Sequence, residues 1–173
     1  MSLSQLQTTD VVNAILGIDE SSALAQLRAQ KPVLAEQLQA YYRSIFEPLE
    51  SSASAFALLD RYLVATRVAS HTGSGAVVDW YANLASEAGV AEEILARVRD
   101  VESSWPDATP LAAAIRHADL LALRPVDARK SDVQALKDAG FRPAGIVSLS
   151  QTIAFVAYQV RLIAGLRAIG GLP

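Results

Sequence analysis

The chain has 173 residues, 51% hydrophobic and 19% charged, with a net charge of −3 and no cysteine. That length holds one domain with a full core plus an extension, and the composition excludes a disordered chain. Scattered basic residues on an acidic chain leave no footprint for nucleic acid, and the lack of Cys removes disulfides, thiolate metal sites and intrinsic thiol catalysis.

The first residues, MSLSQLQTTD, lack a basic start and an apolar run. No signal peptide is expected, and a cytoplasmic location fits the absence of cysteine. Thr9 or Asp10 is suited to cap a short helix over 11–16, which Gly17 ends. Asp19 or Ser21 starts the next one, with Leu24 and Leu27 as its apolar side. Pro32 suits a first helical turn, and Val33, Leu34, Leu38, Tyr41, Tyr42 and Ile45 recur at helical spacing until Pro48.

Residues 50–54, ESSAS, read as a linker. A helix over 55–70 follows, with Phe56, Leu59, Leu63 and Val64 near one face. A break at Thr72-Gly73-Ser74 precedes a helix over 74–88, stopped by Gly89. Residues 90–99 form another, opened by Glu92 and Glu93. After a loop marked by Trp105, Pro106 and Pro110, a helix over 111–123 stops at Pro125. Ser131 is the expected cap of 132–139, ended by Gly140.

Pro143 leads into a long apolar helix ending near Gly170-Gly171. Its segment 144–166 is long enough to cross a bilayer. Arg161, Gln151 and Gln159 lie inside it, and a charged Arg in lipid costs several kcal/mol, so a protein-buried helix is expected instead. Its small residues Ala154, Ala157, Ala164, Gly165 and Ala168 suit close helix packing. The expectation is an all-α protein: a helical arm over 1–50 packed on a helical domain over 51–173, with no membrane span.

The helix RYLVATRVASHTG, the Gly73-Ser74 turn and the helix VVDWYANLASEAGV resemble the alkylhydroperoxidase D-like, or carboxymuconolactone decarboxylase, family. The later half is similar too: a helix over 112–123, a Val126-Asp127 turn, DVQALKDAGF and SQTIAFVAYQVRLIAGL. The likeness covers roughly residues 50–170, and the arm resembles what peroxidase-related members carry. It implies a helical bundle that assembles as a dimer, trimer or hexamer, with no cofactor.

Redox-active members of that family carry Gly-Cys-x-x-Cys-x-x-x-His plus a Glu in the preceding helix. A helix's first turn stabilises a thiolate, and residues i and i+3 share a face, so two sulfurs there can pair. Laid on this chain without gaps, the cysteines fall on Ser74 and Val77, the His on Tyr81 and the Glu on Tyr62. A two-residue shift makes Asp60 the acid instead. A hydroxyl and an isopropyl group cannot cycle between thiol and disulfide. Thiol peroxidase activity by that mechanism is excluded on residues alone, and these four positions are vestigial.

Ser74 is placed to be an N-cap. As a nucleophile it would need a base, for which His71 is the near candidate, but no Gly-x-Ser-x-Gly elbow is present. His71 is expected to meet the carbonyls ending its helix, and His117 to sit on a polar face with Arg116 and Asp119. Two histidines without HExxH-type spacing make no metal site. Asp79, Trp80 and Tyr81 are candidates to line the vestigial pocket, against the favoured alternative that Trp80 and Tyr81 are packing residues with polar tips. Gln151, Tyr158, Gln159 and Arg161 are polar groups that need partners if buried, so a structural polar network is the default expectation, with Arg161 anchoring a ligand as the alternative.

His71, Ser74, Tyr81 and Arg161 are thus the candidate ligand-binding residues. The leading expectation is a non-redox homo-oligomer that binds a small molecule or supports an active relative. An alternative is a Cys-independent acid–base enzyme of the decarboxylase type, with His71, Tyr62 and Tyr81 as candidate groups and Arg161 holding a substrate carboxylate. A third is a peroxidase-related antioxidant protein by family label alone.

Overall fold

The computed structural model describes residues 10–47 and 56–172. Thr9, Pro48, the expected linker over 50–54 and Ala55 lie outside the described residues. Among the described residues all regular structure is helical, so the protein is all-α as expected.

Helix α1 (Val11–Leu16) is capped by Asp10, whose carboxylate accepts from the Val12 and Asn13 amides. Gly17 closes it at φ +66°, a left-handed conformation that glycine adopts without penalty. Helix α2 (Ala23–Ala29) starts one residue beyond the expected caps. Ser22 accepts from the Ala25 amide, while Asp19 spends its carboxylate on the Ser21 amide and hydroxyl. Helix α3 (Pro32–Phe46) has its proline in the first turn, as expected.

Helix α4 (Leu58–Ser70) is the centre of the fold, contacted by α5 (Gly75–Glu87), α6 (Glu92–Arg99), α7 (Pro110–Leu123) and α9 (Pro143–Gly170). The sequence reading gave α4 one apolar face. Instead Arg61 to Ala69 are all buried without interruption, while Leu59 is exposed. Neighbours on every side are the reason, and they force the arginines of α4 to find partners indoors.

A 3₁₀ turn (Pro125–Asp127) and α8 (Lys130–Asp138) join α7 to α9. The expected Ser131 cap is not used. The helix starts earlier, and the Asp132 carboxylate accepts from the Arg129 amide at 2.6 Å. Helix α9 has 28 residues, so it runs ~42 Å. One stripe, including Leu149, Ile153, Phe155, Val156, Val160 and Ile163, enters the core. Its small residues Ala154, Ala164, Gly165 and Ala168 are exposed, while the half-buried Ala157 packs against the core.

The arm enters the core through Phe46. Its ring lies 4.9 Å from Tyr81, 5.7 Å from Tyr62 in a stacked arrangement, and 6.2 Å from Phe155. Burying a side chain of that size contributes about 1.5–3 kcal/mol, and each aromatic pair adds about 0.5–1.5 kcal/mol.

Candidate functional site

Three of the four positions that the resemblance marks as a former redox centre are occupied by packing. Val77 and Tyr81 are fully buried and Tyr62 nearly so. The Tyr81 hydroxyl donates to Gln159 Oε1 at 2.6 Å, and burial holds its pKa well above the ordinary tyrosine value. Tyr81 therefore faces a core amide, which corrects its assignment as a ligand-binding residue. Asp79 is exposed on the outer side of α5 and Trp80 packs on the core, so neither forms a pocket around Tyr81.

The turn between α4 and α5 needs Gly73 at φ +67°. Ser74 occupies the N-cap position, but its hydroxyl accepts no cap bond; its backbone carbonyl takes the Val77 and Val78 amides. The expected capping role is thus corrected: at ψ 84° the serine is not in the extended conformation usual for a side-chain cap. Its hydroxyl remains available.

Beside that turn lies a group that sequence reading did not assemble. Arg67, 1% exposed, donates from Nε to Asp119 Oδ1 at 2.6 Å and from Nη2 to Oδ2 at 3.0 Å. It also donates to the carbonyls of Asp100 and Val101 in the loop after α6. His71 joins the same carboxylate, Nε2 to Oδ1 at 2.7 Å, rather than the helix-end carbonyls expected for it. Burial pushes the Asp119 carboxyl upward. The hydrogen bonds from His71 and Arg67, with their charges, outweigh it and hold the group below the usual carboxylate range. An ionised Asp119 accepts, so Nε2 of His71 carries the proton, and Nδ1 makes no hydrogen bond among the described residues. Arg67 fixes the carboxylate, and the carboxylate fixes the imidazole.

His117 also departs from expectation. It is 8% exposed rather than on a polar face, and burial lowers its pKa, with the opposing pull of Asp132 the smaller effect. Arg116 instead points outward to the Asp107 carbonyl at 2.9 Å, while Asp119 turns to α4. Helix spacing sets His117 about 100° from Arg116 and leaves Asp119 only about 60° from Arg116, so the last two part through the partners their side chains reach.

Two of the four candidate ligand residues do meet. Thr72, Gly73 and Ser74 of the turn face Val160, Arg161, Ala164 and Arg167 of α9 across a cleft of about 340 Å³. Arg161 is exposed, bonded back to the Ala157 carbonyl of its own helix, and has no ion-pair partner among the described residues. No carboxylate among the described residues lines the cleft, and α5 has no acidic residue in its first turn. Two arginines, two hydroxyl-bearing residues and a helix N-terminus thus border one cleft, an arrangement whose field favours an anion. Of the four polar residues singled out on α9, Gln159 alone is buried; Gln151, Tyr158 and Arg161 are exposed, so the expected polar network reduces to the Tyr81–Gln159 pair.

Compared with protein-family models, curated proteins and solved structures, the chain matches none. Among the described residues no group of three His, Asp or Glu side chains is arranged to hold a metal. Arg167 and the Arg67–Asp119 pair were missed by sequence reading; an arginine four residues before His71 on one helix face was the available signal.

Proposed function

We propose that this chain is a thiol-free member of the alkylhydroperoxidase D-like scaffold, a cytoplasmic homo-oligomer that binds a small carboxylate in the cleft between the α4–α5 turn and α9. The observation that carries the binding reading is the acid-free cleft where Ser74, Arg161 and Arg167 converge. A planar guanidinium pairs with a carboxylate through two parallel N–H donors, which gives both orientation and strength. The order of helices around α4 is compatible with the family reading, and Ser74, Val77 and Tyr81 remove the family's thiol chemistry.

Calorimetric titration with small mono- and dicarboxylates and inorganic phosphate tests the binding. Saturable binding by at least one carboxylate is expected, weakening with added salt, and weakened at least tenfold by Arg161→Ala or Arg167→Ala. No saturable binding across the series overturns it. With peroxide and a dithiol reductant, consumption should stay at the background rate; turnover that depends on the protein contradicts the thiol-free reading and supports the peroxidase label.

A second reading, an acid–base enzyme acting on a small carboxylate, draws on the His71–Asp119 bond of 2.7 Å. A carboxylate that holds one imidazole nitrogen leaves the other as a base of fixed direction, and His71 adjoins Thr72 at the edge of the cleft. Under this reading a bound carboxylate exchanges a C–H proton with deuterated solvent, and His71→Gln abolishes the exchange while binding persists. Equal exchange in both proteins refutes it.

A further inference from the structure

Among the described residues, the flank of α9 opposite the cleft leaves large apolar side chains uncovered, with the exposed Gln151 set between Val147 and Tyr158. Val147, Tyr158 and Ile169 recur every eleven residues, three turns apart, so they fall on one line of the helix. They are 56%, 53% and 67% exposed. Beside that line, Leu27 and Leu34 border a groove between the α2–α3 hairpin and α9, closed below by Leu38, Leu162 and Leu166. Leu27 also borders the adjoining hollow under Ile169, which joins the two recesses into one tract. Tyr41 extends it, edge-on to Phe155 at 5.0 Å and 40% exposed.

We infer that this tract is the surface on which a second copy of the chain docks, through a two-fold contact that places the α9 line of each copy in the groove of the other. The inference rests on the homo-oligomer reading for its occupant; the tract itself stands without it. The exposed parts of Leu27, Leu34, Tyr41, Tyr158 and Ile169 amount to roughly 600 Å². Soluble monomers rarely leave more than a few hundred Å² in one patch, and a standard interface covers about 800 Å² per partner. One tract therefore supplies about three-quarters of a dimer contact.

A two-fold contact needs a surface that offers both a projection and a recess, and this tract has the Tyr158 ring beside the Leu34–Leu162 groove. An anionic membrane fits less well. Of the two cations at the groove, Arg28 is paired with Asp10 at 3.0 Å, which leaves Lys31, whereas membrane adsorption calls for a cluster of basic residues. The tract and the carboxylate cleft lie on opposite flanks of α9, so dimerisation leaves the cleft open.

Light scattering coupled to size exclusion on the full chain at micromolar concentration tests this. The expected mass is at least twice 18.4 kDa. Leu34→Asp and Tyr158→Glu, checked by circular dichroism for retained helix, should each raise the dissociation constant at least 100-fold and return the mass to one chain. Val126→Asp, at an 86% exposed position outside the tract, should leave it unchanged. Because the chain has no cysteine, Tyr158→Cys gives a single labelling point, and spin labels there should lie within about 20 Å of each other in the assembly. If the wild type is multimeric but Leu34→Asp, Tyr158→Glu and the label distance show no involvement of the tract, the inference fails while self-association stands. A wild-type mass of 18.4 kDa overturns both, and flotation of that monomer with anionic vesicles would assign the tract to a membrane instead.

Discussion

Replacing Asp119 with alanine should destabilise the protein by about 3 kcal/mol, because it strands a buried charge. Arg67 is 1% exposed, and two of its strongest bonds, at 2.6 and 3.0 Å, go to Asp119. Breaking a buried pair from one side typically costs about 3–5 kcal/mol. Two features place this case at the lower end. The Asp119 side chain is 27% exposed, so solvent already weakens the pair, and Arg67 keeps the carbonyls of Asp100 and Val101. For a chain of this length the loss corresponds to a fall in Tm of roughly 6–12 °C.

Urea unfolding followed by circular dichroism measures it, with Asp127→Asn as the control. Asp127 faces Arg124 at 3.9 Å in an exposed pair, so that change should cost less than about 0.5 kcal/mol. Replacing both partners, Arg67→Met with Asp119→Leu, should recover part of the loss, since neither charge is then left buried alone. A loss below about 1 kcal/mol for Asp119→Ala, or a double variant worse than the single, would refute the reasoning.

Asp119 also sets an acid limit. Its carboxyl is held below its unfolded value, so its contribution is present above that value and is lost as pH falls through the folded one; Asp119→Asn should flatten unfolding below about pH 4. Asp60 acts the other way. Burial raises its carboxyl, so its folded form favours the proton and stability is lost as pH rises through the folded value; Asp60→Asn should raise Tm at neutral pH and leave it unchanged at pH 3. His117 is held neutral by burial, so stability should fall as pH drops below about 6.5, by at most ~1.4 kcal/mol per pH unit, and His117→Leu should remove that slope. Tyr81→Phe should cost about 1–3 kcal/mol in urea unfolding, because it leaves the buried Gln159 carbonyl without its donor, and the amide nitrogen of Gln159 has no partner among the described residues.

The helices were legible wherever caps and spacing agree, as with Asp10 and Gly17 around α1 or Pro143 and Gly171 around α9. Start positions slipped where one polar residue competed with its neighbour. Asp19 bonded Ser21 and left the cap to Ser22, and Asp132 reached back to Arg129. The turn carrying Ser74 was readable from its glycine, and the absence of thiols from the composition.

What lay beyond the sequence was direction. Periodicity gave α4 an apolar face, but only tertiary surroundings could bury Arg61 and Arg67 on the remaining sides. Tyr81 reads as a reachable hydroxyl until Phe46 of the arm, 35 residues away in the chain, packs 4.9 Å from its ring. His117 and Asp119, two residues apart, part company because α8 covers one and α4 binds the other. Arg167 gained its place only when α9 brought it to the same cleft as Ser74.

The most direct test of the central claim is an X-ray structure of crystals equilibrated with a saturating small dicarboxylate. Density bridging the Arg161 and Arg167 guanidiniums, with one carboxylate toward the Ser74 hydroxyl, is the expected result. A cleft that stays empty at saturation, with both guanidiniums turned to solvent or to a neighbouring carboxylate, would contradict the account.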